Sequence, residues 1–211
     1  MIADAANLGV ELSAAQATQM SAYGDMVVKW NRTMNLVSRQ DIDRFYQRHI
    51  LDSLSGVPLL RGGQLMDVGS GAGLPGVPLA IACPTMAVTL NERMAKRCRF
   101  LHQVVTQLQL GNVAIAESDV GAVAGLFDTV TARAVDDAQA IWQKVKDKLT
   151  PNGQLLVYLS TGHTDAGADP DSEEESAPVT PLQITGAAAT YQEVAVPGLS
   201  GRHILCQIAA T

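Results

Sequence analysis

Features that mark several other protein classes are missing from this 211-residue sequence. Its three cysteines, Cys83, Cys98 and Cys206, form neither a CxxC pair nor a metal-spaced cluster, so we expect buried, reduced thiols and no metal site. No run of about 18 apolar residues occurs, so no membrane span is expected. The N-terminus lacks a basic segment followed by an apolar one and is not predicted to be a secretory signal. A cytoplasmic protein is therefore expected.

Positive charge is also scarce. The formal net charge is −6, which argues against a nucleic-acid partner. Six of the acidic residues, however, fall in the segment 163–178, which has almost no apolar side chains and is predicted to be a mobile acidic surface loop. The rest of the chain carries 15 acidic and 15 basic residues. The negative bias thus belongs to one loop, and the objection to a nucleic-acid partner weakens.

The hydrophobic pattern changes near residue 60. Apolar residues at helical spacing over 16–30 and 41–57 predict helices, the second with Asp41 as its cap, and residues 1–60 are interpreted as a helical N-terminal extension. From 61 to 211, strand patterns alternate with helix patterns until a closing pair of strands over 191–196 and 203–208. This alternation predicts an α/β domain whose parallel sheet is covered by helices on both faces.

The first predicted strand runs into the glycine-rich stretch "MDVGSGAGLPGVPLA", residues 66–80. A strand, a glycine loop and a helix start form the usual cradle for a nucleotide-like ligand in α/β proteins. A dinucleotide fingerprint requires a third glycine where Leu74 stands, and a P-loop requires the GK[ST] element, which is missing. The glycines instead lie at Gly69, Gly71 and Gly73, preceded by Asp67.

The pattern D-x-G-x-G-x-G resembles the cofactor motif of S-adenosylmethionine-dependent methyltransferases. A carboxylate at Asp67 suits the positive sulfonium and amino groups of that cofactor, and Glu92, at the end of the next predicted strand, suits the two ribose hydroxyls. A tight turn without a ligand is the alternative interpretation. The pattern predicts these cofactor-binding residues: Asp67, Gly69, Ser70, Gly71, Gly73 and Glu92.

A longer set of segments carries a closer resemblance. These are "KWNRTMNLVS" (29–38), "RHILDSL" (48–54), "DVGSGAGLPGVPLAI" (67–81), "KRCRFL" (96–101) and "TARAV" (131–135). In this order and spacing the chain resembles the bacterial 16S rRNA guanine-N7 methyltransferase family, called RsmG or GidB. The resemblance implies a Rossmann-like class I methyltransferase fold with a seven-stranded, mostly parallel sheet. It also implies S-adenosyl-L-methionine as cofactor, 16S rRNA in the 30S subunit or an assembly intermediate as partner, and a monomer.

The resemblance further implies roles for single residues. Arg133 matches an arginine near the methionine end of the cofactor and the target base, and is the predicted catalytic residue. Gly69 and Leu74 match positions that contact the cofactor. Val120 and Gly121 match positions that line the adenine, and Asp119 suits the adenine amino group. Positions that match or suit RNA contacts are Arg48, His49, Arg97 and Arg202. For Arg97 a solvated helix face, for Arg202 a surface ion pair and for His49 a packing role are the alternatives.

The sequence also lacks the signatures of methyltransferases that act on other atoms of a base. Guanine N7 is an exposed, nucleophilic lone pair, so its methylation needs positioning rather than a covalent cysteine or a strong base. The sequence has neither the Pro-Cys signature of C5-pyrimidine methyltransferases nor the [DN]-P-P-[FYW] signature of exocyclic-amine enzymes. These absences favour an enzyme that methylates guanine at N7.

Two departures from the family pattern keep other functions open. Asp119 stands where an arginine is common, and "YLSTG" (158–162) lacks a common lysine. Both changes, with the acidic loop, weaken contacts to phosphate. One alternative is a cofactor-binding RNA-associated or regulatory protein with altered or lost transfer activity. Another is a small-molecule methyltransferase.

Overall fold

The computed structural model describes residues 1–133, 137–161, 183–200 and 202–210. The predicted acidic loop over 163–178 lies outside these residues. The strands are β1 Gln64–Val68, β2 Ala87–Asn91, β3 Val113–Ala116, β4 Phe127–Arg133, β5 Leu149–Thr161, β6 Ala187–Val194 and β7 Arg202–Ala210. The helices are α1 Ile2–Asn7, α2 Ala14–Met34, α3 Arg39–Ile42, α4 Asp52–Leu54, α5 Gly76–Ala82, α6 Ala95–Gln107 and α7 Ala138–Val145, with a π-helical turn over Tyr46–Leu51.

The seven strands form one sheet in the order β3-β2-β1-β4-β5-β7-β6. Pairing is parallel throughout except for β7, which runs antiparallel to both of its neighbours. The direction of strand addition reverses between β1 and β4. In open α/β sheets a ligand crevice forms at such a reversal, outside the carboxyl ends of the strands. The predicted seven-stranded, mostly parallel sheet is confirmed.

Helices cover both faces of this sheet, as predicted. Leu65 and Met66 are adjacent on β1, and because strand side chains alternate they enter different core clusters. The cluster around Leu65 holds apolar side chains of α2, α5 and α6, and the cluster around Met66 holds those of α7. The short β1 is therefore apolar on both faces.

The N-terminal helices pack directly on the α/β layer. Helix α2 begins with a capping box, in which Ser13 and Gln16 each accept a hydrogen bond from the other's backbone amide. Its buried Tyr23 belongs to the same core cluster as Leu65, and Trp30 packs edge-on against Phe100 of α6 with ring centroids 5.8 Å apart. One apolar core thus crosses residue 60, and the division into 1–60 and 61–211 stays a prediction.

The helix predicted over 41–57 is broken into short pieces. Helix α3 is capped by Ser38, whose Oγ accepts the amide of Asp41, so the expectation that Asp41 caps this helix is wrong. The chain then passes through the π-helical turn before α4. Such turns shift the helical register by one residue and are frequent at functional sites.

Strand β5 contains an irregularity between Leu149 and Gln154, where its pairing with β4 shifts register. The first of the two closing strands differs in its bounds from the predicted 191–196. Strand β6 ends at Val194, and it begins at Ala187 in an alanine-rich stretch of low strand propensity. Pairing with β7 overrides that propensity.

Candidate active site

A cavity of about 400 Å³ opens at the carboxyl ends of β1, β4 and β5. Its floor is the glycine loop after β1, and one wall comes from α3, the π-helical turn and α4. The remaining wall is formed by the start of β7 and the segment before it. Polar and charged residues that line the cavity are Ser38, Asp41, Arg48, His49, Asp52, Ser70, Arg97, Arg133, Tyr158, Ser200, Arg202 and His203. Its volume lies in the range of small-molecule sites.

The glycine loop has the shape of a ligand cradle. Gly69, Gly71 and Gly73 have φ angles of +68°, +59° and +91°, a region that favours glycine. Gly69, Ser70, Gly71 and Leu74 line the cavity, and a Cβ added at Gly69 would have no atom within 4 Å. Backbone and ligand can therefore approach closely there. Gly73 does not line the cavity, and a Cβ there would lie 2.6 Å from Val77 Cγ2.

The side chain of Asp67 holds this loop from beneath. The carboxylate is fully buried, with Oδ1 accepting the Thr131 hydroxyl at 2.9 Å and Oδ2 accepting the Gly76 amide at 3.1 Å. Burial raises the pKa of Asp67 to about 6, although these hydrogen bonds oppose the shift. Asp67 does not line the cavity and fixes the loop from beneath, and its contact with a positive group of the cofactor stays a prediction.

Glu92 fixes the other side of the loop. Its Oε2 accepts the Gly71 amide at 3.0 Å, its Oε1 accepts the Met94 amide at 2.9 Å, and Arg97 Nη1 lies 3.6 Å from Oε2. The side chain is buried and does not line the cavity. Its carboxylate keeps further lone pairs. The contact of Glu92 with a ribose stays a prediction.

The predicted adenine-binding residues lie farther along the same sheet edge. Asp119 follows β3 and caps a short 3-10 turn, its Oδ1 accepting the Gly121 amide at 3.0 Å. Val120 is buried in this turn. None of the three lines the cavity, since β3 is separated from β1 by β2. Their role at an adenine stays a prediction, and the Asp119 carboxylate already has a local structural partner.

Arg133 stands at the end of β4, on the β1–β4 reversal. Its Nη2 donates to the Arg48 carbonyl at 2.9 Å and contacts His49 Nδ1 at 2.8 Å. Its Nε lies 3.3 Å from Asp52 Oδ2. The third nitrogen, Nη1, is buried and has no hydrogen-bond partner among the described residues. A buried donor without an acceptor costs free energy and needs an explanation, which a bound ligand supplies.

His49 is a neutral donor rather than a base. A guanidinium only donates, so its contact requires a lone pair on Nδ1 and places the imidazole proton on Nε2. Burial, followed by the Arg133 charge, lowers the pKa of His49 to about 4. Its Nε2 is buried, lacks a hydrogen-bond partner among the described residues and lies 3.7 Å from Asp41 Oδ2.

The structure brings the four predicted RNA-facing residues to this one cavity. Arg48 pairs with Asp41, and Arg202 pairs with Glu193 through two nitrogens at 2.9 and 3.1 Å. Arg97 is the most exposed of these arginines, at 37%. Arg48, His49, Arg97 and Arg202 thus line the same cavity, although their sequence positions span three separate regions.

Comparison with known proteins identifies the family. The model for "GidB: rRNA small subunit methyltransferase G" matches residues 16–194. The chain belongs to this family. A relative from Stenotrophomonas maltophilia (strain K279a), named ribosomal RNA small subunit methyltransferase G, is 40% identical over 189 residues, which cover 89% of either chain. One of the same name from Coxiella burnetii (strain Dugway 5J108-111) is 34% identical over 95% of this chain and 92% of its own.

Solved structures agree on the fold of this GidB-family chain. A SAM-dependent methyltransferase from Aquifex aeolicus matches with a TM-score of 0.57 at 15% identity, covering 82% of this chain and 100% of that one. The glycopeptide N-methyltransferase MtfA complexed with S-adenosyl-L-homocysteine matches with a TM-score of 0.56 at 12% identity, over 77% and 87%. At such identities the likeness shows the class I methyltransferase fold alone.

The sequence analysis did not predict three residues of the site in this GidB-family chain, namely Asp52, Tyr158 and His203. Asp52 binds both Arg133 and His203, the latter through Oδ1 at 3.1 Å from Nδ1. Tyr158 pairs in register with Arg133 across β4 and β5 and donates to the Ser53 carbonyl at 2.9 Å. The available signal for Asp52 was its place in "RHILDSL", three residues after His49 and so on one helical side.

Two features are absent from the residues that the structure describes. No helix there combines the length and apolarity that a bilayer crossing requires. Within the same ranges, no three or more histidine, cysteine, aspartate or glutamate side chains are grouped as metal ligands.

Proposed function

We propose that this GidB-family protein transfers a methyl group from S-adenosyl-L-methionine to N7 of a guanine in 16S rRNA of the small ribosomal subunit. Family membership and the names of the relatives support an rRNA substrate of the small subunit. The observation that carries the proposal is the unpartnered Arg133 Nη1, a buried cationic donor above a glycine cradle at the sheet reversal. A ligand with a carboxylate or carbonyl oxygen satisfies it.

The residues present fit this cofactor. Gly69, Ser70, Gly71 and Leu74 would lie along its backbone-facing side, and Arg133 would face its methionine carboxylate. Glu92 and the turn Asp119–Gly121 would serve the adenosine end, farther along the sheet edge. When bound, the cofactor supplies an electrophilic methyl group on a sulfonium.

The chemistry of the cavity suits a nucleophile that needs no deprotonation. The only lone pair on the His49 ring is used by Arg133, and its pKa of about 4 makes it a poor base at neutral pH. Guanine N7 carries its own lone pair. The cavity residues would therefore act by holding the base in line with the methyl group and by excluding water.

The arginines that line the cavity fit an RNA substrate. Besides Arg133, the arginines among the described residues that line this cavity are Arg48, Arg97 and Arg202. Contacts of this kind with phosphates fix a nucleic acid in place and weaken as salt rises. We propose phosphate-binding roles for these three arginines.

We further propose that the protein acts as a monomer in the cytoplasm. The described part of one chain contributes every wall of the cavity, and Cys83, Cys98 and Cys206 are all free thiols. A molar mass measured by light scattering, with and without reductant, tests both the monomer and the absence of intermolecular disulfides.

The experiment that tests the activity is transfer of labelled methyl groups to 30S subunits and to naked 16S rRNA that lack N7-methylguanosine. Label at a guanine N7 is expected for the wild type and is expected to be lost in Arg133→Ala. Arg99→Ala, an exposed arginine of α6 outside the cavity, is the matched control and should keep wild-type activity. Cofactor binding without transfer to either RNA would refute the proposal and favour an RNA-associated binding protein.

A further inference from the structure

The helical wall of the cavity presents a hydrogen-bond donor beside an acceptor. His49 Nε2 carries a proton, because Nδ1 receives the Arg133 guanidinium, and it has no partner among the described residues. Asp41 Oδ2 lies 3.7 Å away. Both side chains line the cavity and are mostly buried, at 10% and 18% exposure.

Asp41 is held as an acceptor by its own neighbours. The Ser38 hydroxyl donates to Oδ2 at 2.7 Å, and Arg48 pairs with Oδ1. Burial opposes ionisation, but these two hydrogen bonds and the neighbouring positive charges together outweigh it and keep the pKa of Asp41 below its usual value. Each carboxylate oxygen has two lone pairs, so Oδ2 can still accept a ligand proton.

Guanine carries the complementary pair on one edge. Its O6 accepts and its adjacent N1–H donates, whereas adenine has a donating amino group at position 6 and an accepting N1. We infer that His49 Nε2–H and Asp41 Oδ2 read the O6 and N1–H edge of the target guanine and so set the base specificity of the methyl transfer. This inference rests on the proposed function.

Two features favour the base over the cofactor as the ligand of this pair. Asp41 lies beside His49 Nε2, and the charge of Asp52 also acts on His49, which disfavours a further anion such as the methionine carboxylate next to Nε2. Moreover, a base held by O6 and N1–H keeps N7 unbound, on the opposite side of O6. The lone pair that must be methylated therefore stays available.

The first test changes the substrate and keeps the wild-type protein. In 16S rRNA, the guanine that accepts the methyl group is replaced by inosine, which keeps O6 and N1–H, or by 2,6-diaminopurine, which reverses both groups. All three bases keep N7. We expect inosine to be methylated within about threefold of guanine, and diaminopurine to lose about 10- to 100-fold in kcat/KM, as a mismatched bidentate contact does.

The second test changes the protein. His49→Ala and Asp41→Asn should lower kcat/KM for guanine RNA by about 10- to 100-fold and reduce the preference over diaminopurine RNA. Their affinity for S-adenosylhomocysteine should stay within about twofold of wild type. His49→Gln, whose amide can donate, should recover part of the loss. His102→Ala and Asp43→Asn, exposed residues outside the cavity, are the matched controls.

Each contrary result has a distinct meaning. Equal methylation of guanine and diaminopurine by the wild-type protein overturns this inference alone, whether or not the variants fold. A parallel loss of S-adenosylhomocysteine affinity in Asp41→Asn, which leaves the contact between Arg133 and His49 in place, also overturns it, since the pair would then serve the cofactor. Absence of transfer from the wild type to any guanine RNA overturns the proposed function, and this inference with it.

Discussion

The two ends of the cavity differ in how their polar groups are satisfied. At the glycine loop, the carboxylates of Asp67 and Glu92 are occupied by backbone amides and a hydroxyl of the protein itself. At the helical wall, Arg133 Nη1 and His49 Nε2 are buried without an acceptor among the described residues. At the first end, folding alone supplies the hydrogen-bond partners. At the second end, a ligand would have to supply the missing acceptors.

The difference separates scaffold from recognition. A hydrogen-bonded carboxylate beneath a loop fixes backbone shape, which a cofactor then meets through amides and open glycine surface. A buried donor without an acceptor destabilises the free protein, and a ligand that supplies the acceptor removes this cost. Such a donor therefore marks a place where the protein selects its ligand. Substitutions at the first end should therefore change stability, and those at the second should change transfer.

The largest effect is expected from Arg133→Lys. Lysine keeps the charge but cannot bridge the Arg48 carbonyl, His49 and Asp52 as the forked guanidinium does. Methyl transfer should fall about 100- to 1,000-fold, while the melting temperature changes little. Single-turnover transfer to 30S subunits measures the rate, and a lysine variant with full activity would show that charge alone suffices.

A second comparison uses pH, because the stability contributions of Asp67 and His49 should change in opposite directions as pH falls. The folded pKa of Asp67, about 6, lies above its usual 3.8, so the folded state holds its proton more tightly and stability from this group falls as pH rises from about 4 to 6. The folded pKa of His49, about 4, lies below its usual 6.5, so its stability contribution is lost as pH falls from about 6.5 to 4.

Each contribution amounts to about 3 kcal/mol across its window. Urea unfolding of Asp67→Asn should therefore show a steeper loss of stability in acid than the wild type, and that of His49→Gln a shallower one. Profiles of both variants that run parallel to the wild type would mean that neither group changes its pKa on folding.

A smaller effect, on stability, is expected from Gly76→Ala. A Cβ at this position would lie 2.3 Å from Leu90 Cδ2 and 2.7 Å from Asp67 Oδ2, so the loop must shift. We expect a loss of about 2 kcal/mol in the free energy of unfolding, measured with urea, and weaker S-adenosylhomocysteine binding. Gly63→Ala is the matched control, because a Cβ there meets nothing within 4 Å; equal effects of both changes would contradict the packing argument.

The smallest change in stability is expected from Arg202→Ala. Its pair with the half-exposed Glu193 contributes about 0.5 kcal/mol or less. RNA affinity should nevertheless fall, and the slope of log affinity against log salt should decrease by about one if the arginine neutralises one phosphate. Arg39→Ala, exposed and outside the cavity, provides the reference; an unchanged salt slope for Arg202→Ala would remove this arginine from the RNA contacts.

Local sequence was sufficient for the glycine-loop end. Strand β1, the three glycines and the following helix are consecutive, so their order and spacing already predict a cradle at Gly69–Leu74. The same reasoning could not predict that the carboxylate of Asp67 lies beneath the loop. Whether a carboxylate faces a cavity or a backbone amide depends on the packing of Gly76 and Thr131, which lie 9 and 64 residues away.

Which side chains meet at the helical wall was decided by the tertiary structure. Asp41, His49, Asp52 and His203 become neighbours because the π-helical turn changes register, the strand order reverses at β1 and β4, and β7 returns antiparallel beside β5. No local pattern encodes the contact between Asp52 and His203, which lie 151 residues apart. By itself the sequence determined the fold class and the cradle, since both follow from periodicity and glycine spacing. The unpartnered donors and the donor–acceptor pair required the fold, since burial and hydrogen-bond partners are properties of packing.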